Sequence, residues 1–318
     1  MSAPKEVVVY VHGVSPDVNR TTSHDADYRA MHEGIQSHNS NWPVNYLGVE
    51  WGWNIHQLEN PESHEALTKA QRVFGERLFK AVDAEWDFTL NPTRFVINGI
   101  RPIMFYGFGD MFYYVSMEGK WAIRLAVASR IVKYLKAQFA TEDTISLTLI
   151  GHSAGSVIAF DLLYHIFAEQ KATPFLLRGP NNEEVLEADE NVTASGLEDL
   201  RARAENEQLR LRRLITFGSP ISMLTFRNDP LVQILSRGEY LNPTDYGLTS
   251  VIRDDASLLP GPRWVNFWER DDPIAWPVAP LMQFGVEDVY VDVSDTVGDS
   301  HTAYWRSEDV HESIGKRW

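Results

Sequence analysis

An α/β architecture, with a mostly parallel central sheet and helices on both faces, is what this sequence predicts. Three observations lead there. Residues 7–11 read Val-Val-Val-Tyr-Val, the continuous apolar run of a strand buried on both faces. Strand-like runs alternate along the chain with segments of helical spacing. At residues 144–169 a strand-like run, a glycine-flanked turn and an apolar helical segment follow one another directly. The chain has 318 residues, enough for one α/β domain with insertions and a sizeable core.

After the strand at 7–11 comes a polar stretch to Tyr28, then a short helix over 30–38 and a second strand over 44–51. Pro61 opens a helix whose apolar residues Leu67, Ala70, Val73, Phe74, Leu78 and Phe79 share one face. Residues 91–120 are irregular and rich in aromatics, and helical periodicity returns over 121–139. A strand is predicted at 144–150 and a helix at 153–169. Residues 170–212 read as a charged insertion, too long for an ordinary connection, with an exposed helix over 196–213. Strands are predicted at 214–217, 264–268 and 289–293, and a last helix at 303–314. The whole chain, 1–318, reads as one domain.

Composition excludes several function classes. Lysine and arginine number 29 and aspartate and glutamate 44, a formal charge of −15. Such a surface repels phosphate backbones, so no nucleic-acid partner is expected. Cysteine is absent, which removes disulfides, zinc–thiolate sites and thiol nucleophiles. The most apolar stretch, 95–115, is interrupted by Arg101, Pro102 and Asp110, so no transmembrane segment is expected. The first residues carry no secretory pattern, and a cytoplasmic location is the default expectation. Oligomeric state does not follow from the sequence.

Chemistry concentrates at Gly151-His152-Ser153-Ala154-Gly155, a G-x-S-x-G run between a predicted strand and a predicted helix. This is the context of a nucleophile elbow, in which the serine sits on a strained turn and the glycines leave room for it. A serine hydroxyl needs a base, and the base needs an orienting carboxylate. On the α/β-hydrolase fold these come in the order serine, acid, histidine. His301 lies after the last predicted strand, where a loop presents a base. His311 falls inside the last helix and reads as a solvated histidine. Asp272 is the expected acid, because Pro273 sets the turn beside it, with Asp271 the alternative. The oxyanion donors are expected to be the N–H of Ala154 and that of Val14, with Gly13 the alternative to Val14. His12 is either an orienting group or a plain turn residue.

Phe105, Phe108, Phe112 and Tyr113 belong to the aromatic run. They are the candidate substrate-binding residues, as an acyl pocket or a lid over the serine. A buried core segment is the equal alternative, and an interfacial membrane patch a third. His24, Asp25, Asp27 and His32 match no firm ligand spacing, so no metal is expected, and the chemistry needs no cofactor.

The runs G-H-S-A-G-S-V-I-A-F-D-L-L, F-G-S-P-I-S-M, N-F-W-E-R-D-D-P-I-A-W-P-V-A-P-L and S-H-T-A-Y-W-R-S-E-D-V begin at residues 151, 217, 266 and 300. Together they resemble the C-terminal half of intracellular phospholipase A1 enzymes of the DDHD type. The resemblance leaves out the aromatic run and the charged insertion. It implies an α/β-hydrolase fold, Ser153 as nucleophile, and a small-molecule or lipid ester as substrate. It also implies roles for Asp272, His301 and Asp309, with Asp292 as the remaining aspartate. That set carries a metal-binding reading beside the triad reading. Two functional alternatives stay open: a non-catalytic interaction protein on a hydrolase scaffold, and an amide or thioester hydrolase using the same serine.

Overall fold

The N-terminal valines form β1 (Lys5–Val11), and Val7 to Val11 are without exposure to solvent. Successive side chains of a strand point to opposite faces. Val7, Val9 and Val11 therefore enter one core, and Val8 and Tyr10 the other. A strand apolar at every position belongs between two helical layers. The computed structural model describes residues 4–13, 24–51, 117–167, 188–225, 229–242, 263–294 and 297–318. The helix expected from Pro61 and the aromatic run from 91 to 116 lie outside them.

From β1 the chain passes through α1 (Asp25–His38) to β2 (Tyr46–Val49). Helix α2 (Met117–Gln138) leads into β3 (Ile145–His152), and α3 (Ala154–Phe167) starts two residues beyond that strand's end. Then come α4 (Ala188–Glu205), β4 (Leu209–Phe217), α5 (Ile221–Thr225), α6 (Asp229–Ser236) and β5 (Trp264–Trp268). A one-turn helix at Ala279–Leu281 precedes β6 (Val286–Tyr290). The chain closes with α7 (Val297–Ala303), a one-turn helix at Tyr304–Arg306, and α8 (Glu308–Arg317).

Among the described residues the strands form one six-stranded, wholly parallel sheet in the order β2-β1-β3-β4-β5-β6. One face packs α2, α3 and α4 through Ile131, Leu135, Ile158, Leu162, Leu197 and Leu200. The other packs α1, the turn at Tyr304–Arg306 and α8 through Tyr28, Met31, Ile35, Trp305, Val310 and Ile314. From β1 the chain first moves to β2 on one side and later reaches β3 on the other. The strand order thus reverses between β1 and β3, and such a point opens a crevice above the carboxyl ends of the strands. Among the described residues no helix is long and apolar enough to cross a membrane.

Several expected boundaries are corrected. The exposed helix over 196–213 is instead α4 followed by the first half of β4. Leu209 and Leu211 alternate inward as a strand does, and the register then shifts beside Leu147 and Thr148. Nor is α4 a detached insertion: Leu197 and Leu200 are buried, and a methyl group on Gly196 would overlap Val132 of α2. The expected strand over 44–51 shrinks to β2, because Val44 lies exposed outside the ladder. The last strand is β6, three residues before the expected start, paired from Val286 against Trp264. The single helix over 303–314 is broken into pieces at Ser307, whose hydroxyl accepts from Val310 N–H and caps α8. Helix α1 begins at Asp25, with Asp25 and Asp27 in its first turn where the helix dipole favours them.

His311 is buried, against the expectation of a solvated helical side chain. It lies over Gly34 of α1, where any side chain would overlap its ring, and its Nε2–H donates to Trp305 O at 3.0 Å. On the same face the Nδ1 of His32 accepts Trp42 Nε1–H at 3.1 Å and lies 3.0 Å from the Tyr10 hydroxyl. A protonated Nδ1 has no lone pair to accept with. Burial pushes His32 down to about 4, and burial also lowers His311. The unfolded chain takes up these protons near the ordinary histidine range, whereas the fold resists until lower pH. Their stabilising effect is full above about pH 6.5 and is lost as pH falls through the folded pKa. Each such histidine costs the fold up to about 1.4 kcal/mol per pH unit in that window. The unfolding temperature should fall steadily from about pH 7 to about pH 4 in calorimetric scans, and a level profile would contradict this account.

Candidate active site

Beyond the carboxyl end of β3 stands Ser153, which joins β3 directly to α3. Its φ is +52°, in the left-handed region that side chains rarely occupy. The strain is held from several sides. Ser153 N–H donates to Phe217 O at 3.0 Å, and its carbonyl accepts Ser156 N–H at 3.0 Å and the Ser156 hydroxyl at 2.5 Å. The flanking glycines have steric reasons. A methyl on Gly151 would come within 2.6 Å of Ser156 Cα, and one on Gly155 would overlap the carbonyl oxygens of Val11 and His12.

His301 Nε2 lies 2.9 Å from Ser153 Oγ, so the hydroxyl can donate to it. On the other side of the ring Nδ1 lies 3.0 and 2.9 Å from the two oxygens of Asp272. The three side chains expected from the sequence are therefore in one hydrogen-bonded line, each almost fully buried. Asp271 is not part of it. Its side chain is 46 % exposed beside Arg270, while its carbonyl accepts the Ser300 hydroxyl at 3.0 Å. His301 itself sits in α7 rather than in a loop.

Asp272 also accepts from Ile274 N–H at 2.9 Å, Ala275 N–H at 3.3 Å and the Tyr304 hydroxyl at 3.1 Å. Burial pushes its carboxyl up, but the electrostatic pull of His301 beside it and the hydrogen bonds from His301 and Ile274 outweigh burial and hold it below the usual range. Tyr304 is pushed far up, first by burial and then by the carboxylate it serves, so it stays a donor. His152 Nε2–H donates to the His301 carbonyl at 2.6 Å. Burial and the neighbouring His301 hold His152 down at about 3, so it remains neutral. Gly218, at φ +59°, passes 3.1 Å from His301 Cε1 at the position of its missing side chain. Sequence reasoning did not find Tyr304, His152 or Gly218. Their proximity to the line depends on chain crossings that no local pattern records.

Ala154 opens α3, so its N–H is one of the first-turn donors that lack an intrahelical partner. Gly13 lies against Ser153, with the place of its absent Cβ 2.5 Å from Ser153 Cβ and 3.1 Å from Oγ. Val14, Phe105, Phe108, Phe112 and Tyr113 lie outside the described residues. The set Asp272, His301, Asp309 and Asp292 does not fit a metal. Asp309 and Asp292 are exposed, and the facing atoms of Asp272 and His301 are bound to each other. No protein-family model matches the chain, and no curated protein matches it either.

Gly155→Ala should destabilise the protein by about 1–3 kcal/mol, because the methyl group must displace backbone at the end of β1 rather than a pliant side chain. Urea unfolding measures this directly. An unchanged midpoint would mean that the approach of α3 to β1 is looser than described.

Proposed function

We propose that the chain is a serine hydrolase of the α/β-hydrolase fold that cleaves carboxylic esters, of the lipid or acyl class, through an acyl-enzyme. The observation that carries this reading is the line Ser153 Oγ, His301 Nε2 and Nδ1, Asp272, with contacts of 2.9 to 3.0 Å. The ester and lipid part rests on the resemblance to DDHD-type phospholipases A1.

In this mechanism Ser153 Oγ attacks the ester carbonyl carbon while His301 Nε2 takes the hydroxyl proton. Asp272 stabilises the resulting imidazolium and holds the ring with Nδ1–H facing it. The carbonyl oxygen becomes an oxyanion above the start of α3. There the N–H of Ala154 and one from the 13–14 segment receive it, with the helix dipole adding to their effect. Collapse of the intermediate expels the alcohol, which takes its proton from His301. Water then attacks the acyl-serine with His301 as base and releases the acid. Tyr304 and the two backbone donors keep Asp272 ionised in a dry site, where an imidazolium would otherwise lack a counter-charge.

Wild-type protein should react with a fluorophosphonate probe, and Ser153→Ala should not. Labelling that persists in the variant overturns the assignment. Asp272→Asn should keep the fold but lower turnover by about 10⁴-fold, since the asparagine favours the wrong histidine tautomer. Across esters of graded acyl length, kcat/KM should rise with chain length. A flat series would remove the lipid part of the reading and leave the serine chemistry standing.

A further inference from the structure

Outside the triad, the described residues bring together one group of three metal-ligating side chains, His12, His24 and Glu50. They come from separate places: just past β1, just before α1 and just past β2. The parallel pairing brings two of them together, because Val11 is opposite Val49 and the residues that follow are His12 and Glu50.

One donor atom from each residue lies within 4.8 Å of the others. His12 Nε2 is 3.4 Å from Glu50 Oε2. Ligands about 2.0–2.1 Å from a tetrahedral ion are about 3.4 Å apart, so this pair already has the spacing. The His24 ring is stacked on the His12 ring with centroids 4.0 Å apart, so holding one ion between them would require the His24 ring to turn until the two lone pairs converge.

The tautomers also suit a metal. His12 donates through Nδ1–H to the Gly13 carbonyl, which leaves Nε2 as the acceptor; it receives Trp51 N–H at 3.1 Å, a contact that an ion on Nε2 would displace. His24 Nδ1 faces Asp27 Oδ2 at 3.5 Å. Its Nε2 is buried and has no hydrogen-bond partner among the described residues. Metal-ligating histidines characteristically anchor the second ring nitrogen on a carbonyl or a carboxylate in this way. Glu50 Oε1 is taken by His24 N–H at 2.7 Å, so the carboxylate is oriented with Oε2 toward His12.

The geometry points to a divalent transition-metal site, of zinc-like preference, with His12, His24 and Glu50 as ligands. Two imidazoles and one carboxylate suit Zn²⁺ or Co²⁺ far better than Mg²⁺ or Ca²⁺, which take oxygen donors in larger number. Three protein ligands leave a fourth tetrahedral position for water. The ion would tie the ends of β1 and β2 to the start of α1, one residue from the Gly13 backbone that lies against Ser153. Its role is to hold that segment, and the site stands independently of the ester chemistry.

The full chain, stripped with chelator, should bind one equivalent of Zn²⁺ in calorimetric titration, bind no Mg²⁺, and unfold at a higher temperature with Zn²⁺ present. Ser153→Ala should bind Zn²⁺ as wild type does, which separates this site from the nucleophile. His24→Ala and Glu50→Gln should each weaken Zn²⁺ binding at least about 10-fold. His38→Ala, at the far end of α1, should not. Co²⁺ should give visible d–d absorption in wild type that His24→Ala abolishes, with far-UV circular dichroism reporting that the variant is folded. Absence of stoichiometric Zn²⁺ binding in wild type overturns the proposal. So does binding that survives both ligand substitutions, or that is lost equally in His38→Ala.

Discussion

Parallel pairing sets Val11 of β1 opposite Gly151 of β3, so the two chains leave the sheet side by side. The segments just past these strand ends are then forced into contact. Gly13 comes to rest against Ser153, and Gly155 passes beneath the carbonyls of Val11 and His12. Because the strand order reverses between these two strands, helix α1 leaves to one face and α3 to the other. In open α/β sheets such a reversal point, beyond the carboxyl ends of the strands, is where ligands bind. The glycines are consequences of this approach. Two backbones at that distance have no room for a Cβ, whatever the chemistry above them.

Burying a carboxylate is the largest electrostatic cost at the site. The Asp272 side chain has no solvent exposure, and an ion left alone in such a place costs several kcal/mol. Three donors besides His301 point at it, from Ile274, Ala275 and Tyr304, and two of them come from the turn that Pro273 begins. The loop is thus shaped as a carboxylate receptor before any histidine reaches it. Ser300 hydrogen-bonds Asp271 O and joins α7, which carries His301, to the loop that carries Asp272. Ser156 and Ser219 hydroxyls, 2.7 Å apart, do the same for the elbow and the segment after β4.

Local patterns made the centre of this arrangement readable. A strand apolar at every position can only be central, the G-x-S-x-G turn has a steric logic within five residues, and Pro273 marks the loop holding Asp272. The start of β4 is hidden because its arginines meet partners far away in sequence. The Arg212 guanidinium lies 3.7 Å over the Trp318 ring, and Arg213 reaches the Arg317 carbonyl. A charged strand end reads as an exposed helix when its partners are about a hundred residues distant. His311 was misread for a similar reason: its burial depends on the absence of a side chain at Gly34 on another helix. Sequence spacing groups His24 with Asp25, Asp27 and His32, whereas the fold brings His24 together with His12 and Glu50.

The C-terminal segment shows how the geometry of Ser153, His301 and Asp272 is held by packing remote from it. From α7 onward the chain runs down one face of the sheet. His301 and Tyr304 stand at the carboxyl ends of the strands, Trp305, Val310 and Ile314 lie in the core, and Arg317 and Trp318 reach the opposite end. There Arg317 pairs with Glu287 at 2.8 Å, and Trp318 packs on Trp42 and under Arg212. A histidine on a free loop samples many positions, but one attached to a segment buried along its length cannot leave the serine without unpacking Trp305 from Tyr10, Tyr28 and Phe217. The 2.9 Å contact between His301 and Ser153 is in this sense a property of the second hydrophobic layer, and changes in that layer act on the histidine without touching it.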